Sequence, residues 1–260
     1  MSLVLGGQTA IVTGAGSGIG RAIAQRLAQM GAGVAVTDMN LAAAEETKGL
    51  LDTQSGQVHR IYGLNVIDKE QMKEVFAKIH QDYGRIDILI NNAGVSSMGR
   101  YEELTEKEWN DNIDINLKGQ FFGMQLILPY MKEKGGKICN TASMAALKCG
   151  TMLAHYAASK WGVAGLTRNV AVEYAKYHIT VNCVCPGFVK TSMQSREIVW
   201  EGELRGMTPQ EVLDDYVRCT PLGRLCYPED VAKGVGFLVS PDADFITGIM
   251  LDISGGAAIV

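Results

Sequence analysis

Apolar residues come along this chain in short compact runs, separated by longer stretches that repeat them at helical spacing. Thr9-Ala-Ile-Val12, Gly33-Val-Ala-Val-Thr-Asp38 and Ile86-Asp-Ile-Leu-Ile90 are such runs. Their length fits strands buried on both faces, as in a parallel sheet. Arg21 to Met30 shows the other pattern, apolar at helical intervals until Gly31 stops it. Carried through the chain, the alternation predicts strands near 8–13, 33–38, 57–63, 86–90, 136–141, 179–185 and 248–252. Helices are expected near 18–31, 41–53, 68–83, 105–132, 155–176 and 228–239. Strands alternating with helices demand right-handed crossovers and a sheet covered on both sides. The expected class is α/β: a doubly wound sheet of about seven parallel strands with helices on both faces, one domain over 1–260.

Such sheets bind ligands beyond the carboxyl ends of their strands, where the winding reverses. The first strand leads straight into Thr13-Gly-Ala-Gly-Ser-Gly-Ile-Gly20 and then a helix. Glycines there let backbone approach a pyrophosphate, and the helix start offers free N–H groups and a positive dipole end. This is the Rossmann-type nucleotide signature, with Gly14, Ser17, Gly18 and Ile19 expected at the cofactor. The second strand ends in Asp38, followed by Met39 rather than a basic residue. A carboxylate there accepts hydrogen bonds from ribose hydroxyls and repels a 2′-phosphate, so NAD is expected over NADP. Capping of the helix that opens near Leu41 is the alternative role for Asp38.

Composition narrows the partners. With 260 residues, 47% of them hydrophobic, the chain can bury a substantial core. Its net charge of −4, with signs interspersed, argues against nucleic acid or an anionic membrane as a partner. No apolar stretch reaches membrane-spanning length, and the N-terminal Met-Ser-Leu-Val-Leu-Gly-Gly lacks the regions of a signal peptide. The six cysteines lack metal-ligand spacing and are expected as buried thiols in a reducing, cytoplasmic setting. Cys183 and Cys185 would share one strand face, and Cys149 would lie near the pocket.

The chemistry is suggested by Tyr156 and Lys160 in His155-Tyr-Ala-Ala-Ser-Lys160. Residues four apart share a helix face, so the ammonium can lie beside the phenol. A free phenol titrates near ~10, and a fixed cation favours phenolate and lowers that value. The Lys160 ammonium together with an oxidised nicotinamide ring as a second positive charge is expected to do so. His155 is expected as a surface residue at the helix start.

Five motifs stand in one order: Thr13-Gly14-x-x-x-Gly18-x-Gly20, Asn91-Asn-Ala-Gly94, Asn116 within Asp114-Ile-Asn-Leu117, Ser143 with Tyr156 and Lys160, then Pro186-Gly187 with Thr191. In these the chain resembles the short-chain dehydrogenase/reductase family over essentially its whole length. It departs in having Asn65-Val66 where the family often has Asp-Val at the adenine. An asparagine amide can serve an adenine edge as well. The resemblance implies Asn116, Ser143, Tyr156 and Lys160 as the catalytic set, with Asn116 distorting its helix and holding a water that links Lys160 to solvent. Ser143 would orient the substrate oxygen, Tyr156 would exchange its proton, and Lys160 would hold the nicotinamide ribose. Asn92, Ala93, Gly94, Pro186, Gly187, Val189 and Thr191 would join the cofactor site, while Asn91 would tie strands together.

The stretch 191–220 would be the substrate lid, mixing Met193, Ile198, Val199, Trp200 and Leu204 with Gln194, Arg196 and Glu197 before a short amphipathic helix. Its length resembles that of polyol, acetoin and diol dehydrogenases. The expected activity is therefore oxidation of a small secondary alcohol or polyol to its ketone. A 3-oxoacyl thioester reductase and a non-catalytic nucleotide sensor are the alternatives. The resemblance also implies a dimer or tetramer built on the helices at 105–132 and 155–176.

Overall fold

The first strand, β1 (Thr9–Thr13), is buried at every position. Its side chains alternate between two cores: Ala10 and Val12 enter one, Ile11 the other. A strand covered on both faces needs no polar alternation, which is why its sequence reads as a continuous apolar run. The structure, a computed structural model, describes residues 3–53 and 56–260. Met1 and Ser2, which open the N-terminal segment read above, lie outside it.

Seven strands form one sheet in the order β3-β2-β1-β4-β5-β6-β7, all parallel. Beside β1 run β2 (Gly33–Asp38) and β3 (Arg60–Gly63) on one side. On the other lie β4 (Ile88–Asn91), β5 (Gly136–Thr141), β6 (Ile179–Pro186) and β7 (Met250–Ile253). The winding reverses between β1 and β4, which opens a crevice at their carboxyl ends. Helices α1 (Gly18–Gln29) and α9 (Pro228–Leu238) cover one face, with Ile23, Leu27, Val231 and Val235 in its core. Helices α3 (Lys69–Tyr83) and α5 (Gly119–Met131) cover the other through Met72, Phe76, Ile79, Met124 and Ile127. The 21-residue α6 (Ala154–Tyr174) packs on β6 beside them.

Three expectations change. Helix α2 ends at Gly49 (Leu41–Gly49) and β3 starts only at Arg60, so both are shorter than the pattern suggested. The long helix expected over 105–132 is broken into α4 (Glu106–Asn112), a π-helical turn (Ile113–Lys118) and α5. At the centre of the π turn, Asn116 Oδ1 accepts from Val95 N at 2.8 Å and Nδ2 donates to Val95 O at 3.0 Å. A side chain bonded this way to a neighbouring loop stabilises a local widening of the helix. The segment after β6 folds as two helices, α7 (Ser192–Arg205) and α8 (Pro209–Arg218), where one was expected. Arg205 and Tyr216 both bond Glu201, and Arg205 also pairs with Asp215, so the two helices are tied to each other.

Candidate active site

The glycine turn, Asp38, the Asn91–Gly94 motif, Ser143 and Pro186-Gly187 fall at or just past strand ends, and α6 brings Tyr156 and Lys160 to the same edge. There they line a cleft of about 420 Å³. Gly14, Ser17, Gly18, Ile19, Asp38, Asn65, Val66, Asn92, Ala93, Gly94, Ser143, Tyr156, Lys160, Pro186, Gly187, Val189 and Thr191 all stand in its wall. Asn116 does not: it is fully buried behind the wall, where it fixes the backbone of Val95. Asn91 is also internal, donating to Asn140 Oδ1 at 2.9 Å across the β4–β5 pair. Asn92 has both positions at once. It lines the cleft while its Nδ2 donates to Thr13 O (3.0 Å) and Gly14 O (3.3 Å).

The β1–α1 turn fits a phosphate-bearing nucleotide. Gly14 has φ +63°, and a Cβ on it would sit 2.8 Å from Ala93 Cα, so only glycine allows β1 and β4 loops to approach this closely. The N-cap of α1, Ser17, makes no side-chain capping bond, and no acidic residue occupies the first turn. The first N–H groups and the positive end of α1 therefore remain available to an anion. At the cleft's other end, Asp38 Oδ2 accepts from Gly16 N and Oδ1 from Asn40 N, each at 2.9 Å. Asn40, not Asp38, caps α2. A carboxylate has about four acceptor positions, so Asp38 keeps capacity for further donors. The neighbouring cation, Arg21, is already committed to Gly16 O, Thr47 and Glu46.

Lys160 is 3% exposed and its Nζ donates to Thr141 O at 3.0 Å. It lies 5.4 Å from the centre of the Tyr156 ring, so the shared helix face does bring amine and phenol together. The free protein carries only the first of the two charges expected to acidify the phenol. With the protein's own groups alone, burial pushes the Tyr156 phenol above its ordinary range, Glu197 pushes it further, and a hydrogen bond with Ser143 only partly opposes them. Burial also lowers the Lys160 amine from 10.5 to about 8, so desolvation weakens the cation meant to acidify the phenol.

That buried amine has a consequence for stability. A folded value below the unfolded one means the fold gains stability from this group as pH rises from about 8 towards 10.5. Lys160→Met is expected to stabilise the free protein near pH 7 by on the order of 1–3 kcal/mol. Thr141 O keeps a donor in Gln120 Nε2 at 3.1 Å, so nothing is orphaned. Thermal denaturation at pH 7 and pH 10 checks this: the gain should shrink at the higher pH.

Two further corrections concern neighbours of the site. His155 is fully buried, not at the surface; its Nε2 lies 2.7 Å from Ser97 Oγ, which accepts from Asn112 Nδ2 at 3.2 Å. This chain reaches Asn116 through Asn112 Oδ1 at 3.3 Å. The cysteines are not uniformly buried either: Cys139, Cys183 and Cys185 are, but Cys149 and Cys219 are exposed and Cys226 is half-buried. Thr141 and Val95 also line the cleft without having been singled out. Their positions, at the end of β5 and a few residues past β4, were the available signal.

Comparison with known proteins agrees with this architecture. A family model described as enoyl-(acyl carrier protein) reductase matches residues 14–258. The 3-oxoacyl-(acyl-carrier-protein) reductase of Thermotoga maritima is 37% identical, over 98% of this chain and 99% of its own. The D-threitol dehydrogenase of Mycolicibacterium smegmatis is also 37% identical, over 98% and 94%. The crystal structure of levodione reductase superposes with a TM-score of 0.92 at 33% identity, covering 98% of both chains. The fold, the cleft and these relatives lead to one conclusion: the chain belongs to the short-chain dehydrogenase/reductase family of oxidoreductases.

Proposed function

We propose that this chain is an NAD-dependent dehydrogenase that interconverts a small secondary alcohol, diol or polyol and its ketone. The observation that carries the proposal is the meeting of Ser143, Tyr156 and Lys160 with Asp38 along one cleft. Gly14, Ser17, Gly18 and Ile19 would hold the pyrophosphate, Asp38 the adenosine ribose, and Asn65 and Val66 the adenine. Asn92, Ala93, Gly94, Pro186, Gly187, Val189 and Thr191 would hold the nicotinamide half, with Lys160 on its ribose. Once bound, a nicotinamide cofactor supplies the hydride acceptor or donor. In oxidation Tyr156 Oη takes the substrate hydroxyl proton, while Ser143 Oγ orients the substrate oxygen. In reduction Tyr156 returns it. Asn116 acts by holding the Val95 loop against the π turn, and Gly94 leaves room for it: a Cβ there would lie 2.9 Å from Asn116 Oδ1.

The name of the D-threitol relative supports a polyol substrate, whereas that of the Thermotoga relative supports a 3-oxoacyl thioester reductase. The Asp38 carboxylate in the cleft wall, with acceptor capacity to spare, and the polar lid residues Gln194, Arg196 and Glu197 favour the former. Among the described residues no helix is long and apolar enough to cross a membrane. Trp109, Phe121 and Trp161 are exposed on α4, α5 and α6 and suit assembly into a homo-oligomer, while Val163 belongs to the core.

Assaying polyols, acetoin and simple secondary alcohols with NAD and with NADP tests this reading. Turnover with NAD is expected. Activity confined to 3-oxoacyl thioesters and NADPH would establish the other.

A further inference from the structure

The lid places an unpartnered amide donor and a carboxyl in the cleft. Gln194 is 4% exposed and lines the cleft, yet its Nε2 has no hydrogen-bond partner among the described residues. Glu197 stands three residues on, on the same face of α7, and lines the cleft as well. One turn further Glu201 is fully engaged by Arg205 and Tyr216, whereas Glu197 makes no ion pair among the described residues. The buried Ser96 hydroxyl lies beside the Glu197 carboxyl and partly offsets the effect of burial on it.

A buried amide donor without a partner is costly, and the half-buried Glu197 carboxyl beside it has Ser96 as a neutral neighbour. Glu197 also carries a second cost, because its charge opposes ionisation of the phenol beside it. Burial favours the neutral carboxyl, which would lessen that opposition and match an uncharged ligand better than a cation. A donor and an acceptor side by side suit a hydroxyl, which both gives and takes a hydrogen bond. An alkyl chain in the same place would leave the Gln194 donor unpaired.

We propose that Gln194 and Glu197 form a subsite for a second hydroxyl of the substrate, so that the enzyme selects diols, polyols and their hydroxyketones over simple secondary alcohols. This rests on the reading of the cleft as an alcohol dehydrogenase site. Initial-rate kinetics with butane-2,3-diol and butan-2-ol test it in the wild type and in Gln194→Leu, Glu197→Leu and Glu197→Gln. The diol-to-mono-ol ratio of kcat/KM should fall about tenfold in each leucine variant, the scale of one lost hydrogen bond. Glu197→Gln, which keeps an acceptor, should restore most of the ratio. An unchanged ratio in both leucine variants, with both alcohols oxidised, would overturn the subsite and leave the dehydrogenase reading intact. Failure of the wild type to oxidise either alcohol with NAD or NADP would overturn both.

Discussion

Tyr156→Phe is expected to lower turnover by about 10²- to 10⁴-fold, the usual contribution of a positioned acid–base group. The substitution removes one oxygen and keeps the ring that packs beside Lys160. Affinity for the cofactor should change little, because its cradle is built by the β1–α1 turn, Asp38 and the loops after β4 and β6. Steady-state kinetics and a fluorescence titration with NADH separate the two effects. If kcat stays within about tenfold of the wild type, Tyr156 is not the proton carrier. Parallel loss of rate and cofactor affinity would instead indicate a damaged cleft.

Asp38→Asn should change cofactor choice. Asparagine keeps the shape and one acceptor for Gly16 N or Asn40 N but removes the charge. Hydrogen bonds to a charged group are worth about 1.5–3 kcal/mol, so kcat/KM with NAD should fall roughly 10- to 100-fold. Activity with NADP should rise, since the repulsion of a 2′-phosphate is gone. Arg21 gives that phosphate little help while it is held by Gly16 O, Thr47 and Glu46. A wild type that already prefers NADP, or a variant with an unchanged preference, would remove Asp38 from the ribose site.

Much of this architecture was legible because it depends on local pattern. Strands buried on both faces announce themselves as short apolar runs, and β1 is the clear example, with Ala10, Ile11 and Val12 all buried. The glycine turn was legible for a similar reason: a backbone at φ +63° against Ala93 leaves few residue choices at position 14. Asn116 inside an apolar helix hinted at distortion, but the two-turn break around it depends on Val95, a partner from another loop. His155 was misread because its environment is non-local. Ser97 and Asn112 enclose it from distant parts of the chain, and nothing beside it in sequence signals burial. Spacing placed Lys160 next to Tyr156 correctly. It could not reveal that both would be desolvated, and burial is the largest influence on each in the free protein.

That last point locates the acidifying charge. Lys160 does not offset burial at the phenol in the free protein, so the second positive charge expected from the sequence, an oxidised nicotinamide ring, would have to favour phenolate. An ultraviolet difference titration, wild type minus Tyr156→Phe, with and without saturating NAD, follows this one hydroxyl directly. The expected result is a phenol that titrates above the ordinary tyrosine range in the free protein and moves towards neutral pH in the complex. A titration that does not move when NAD binds would contradict it.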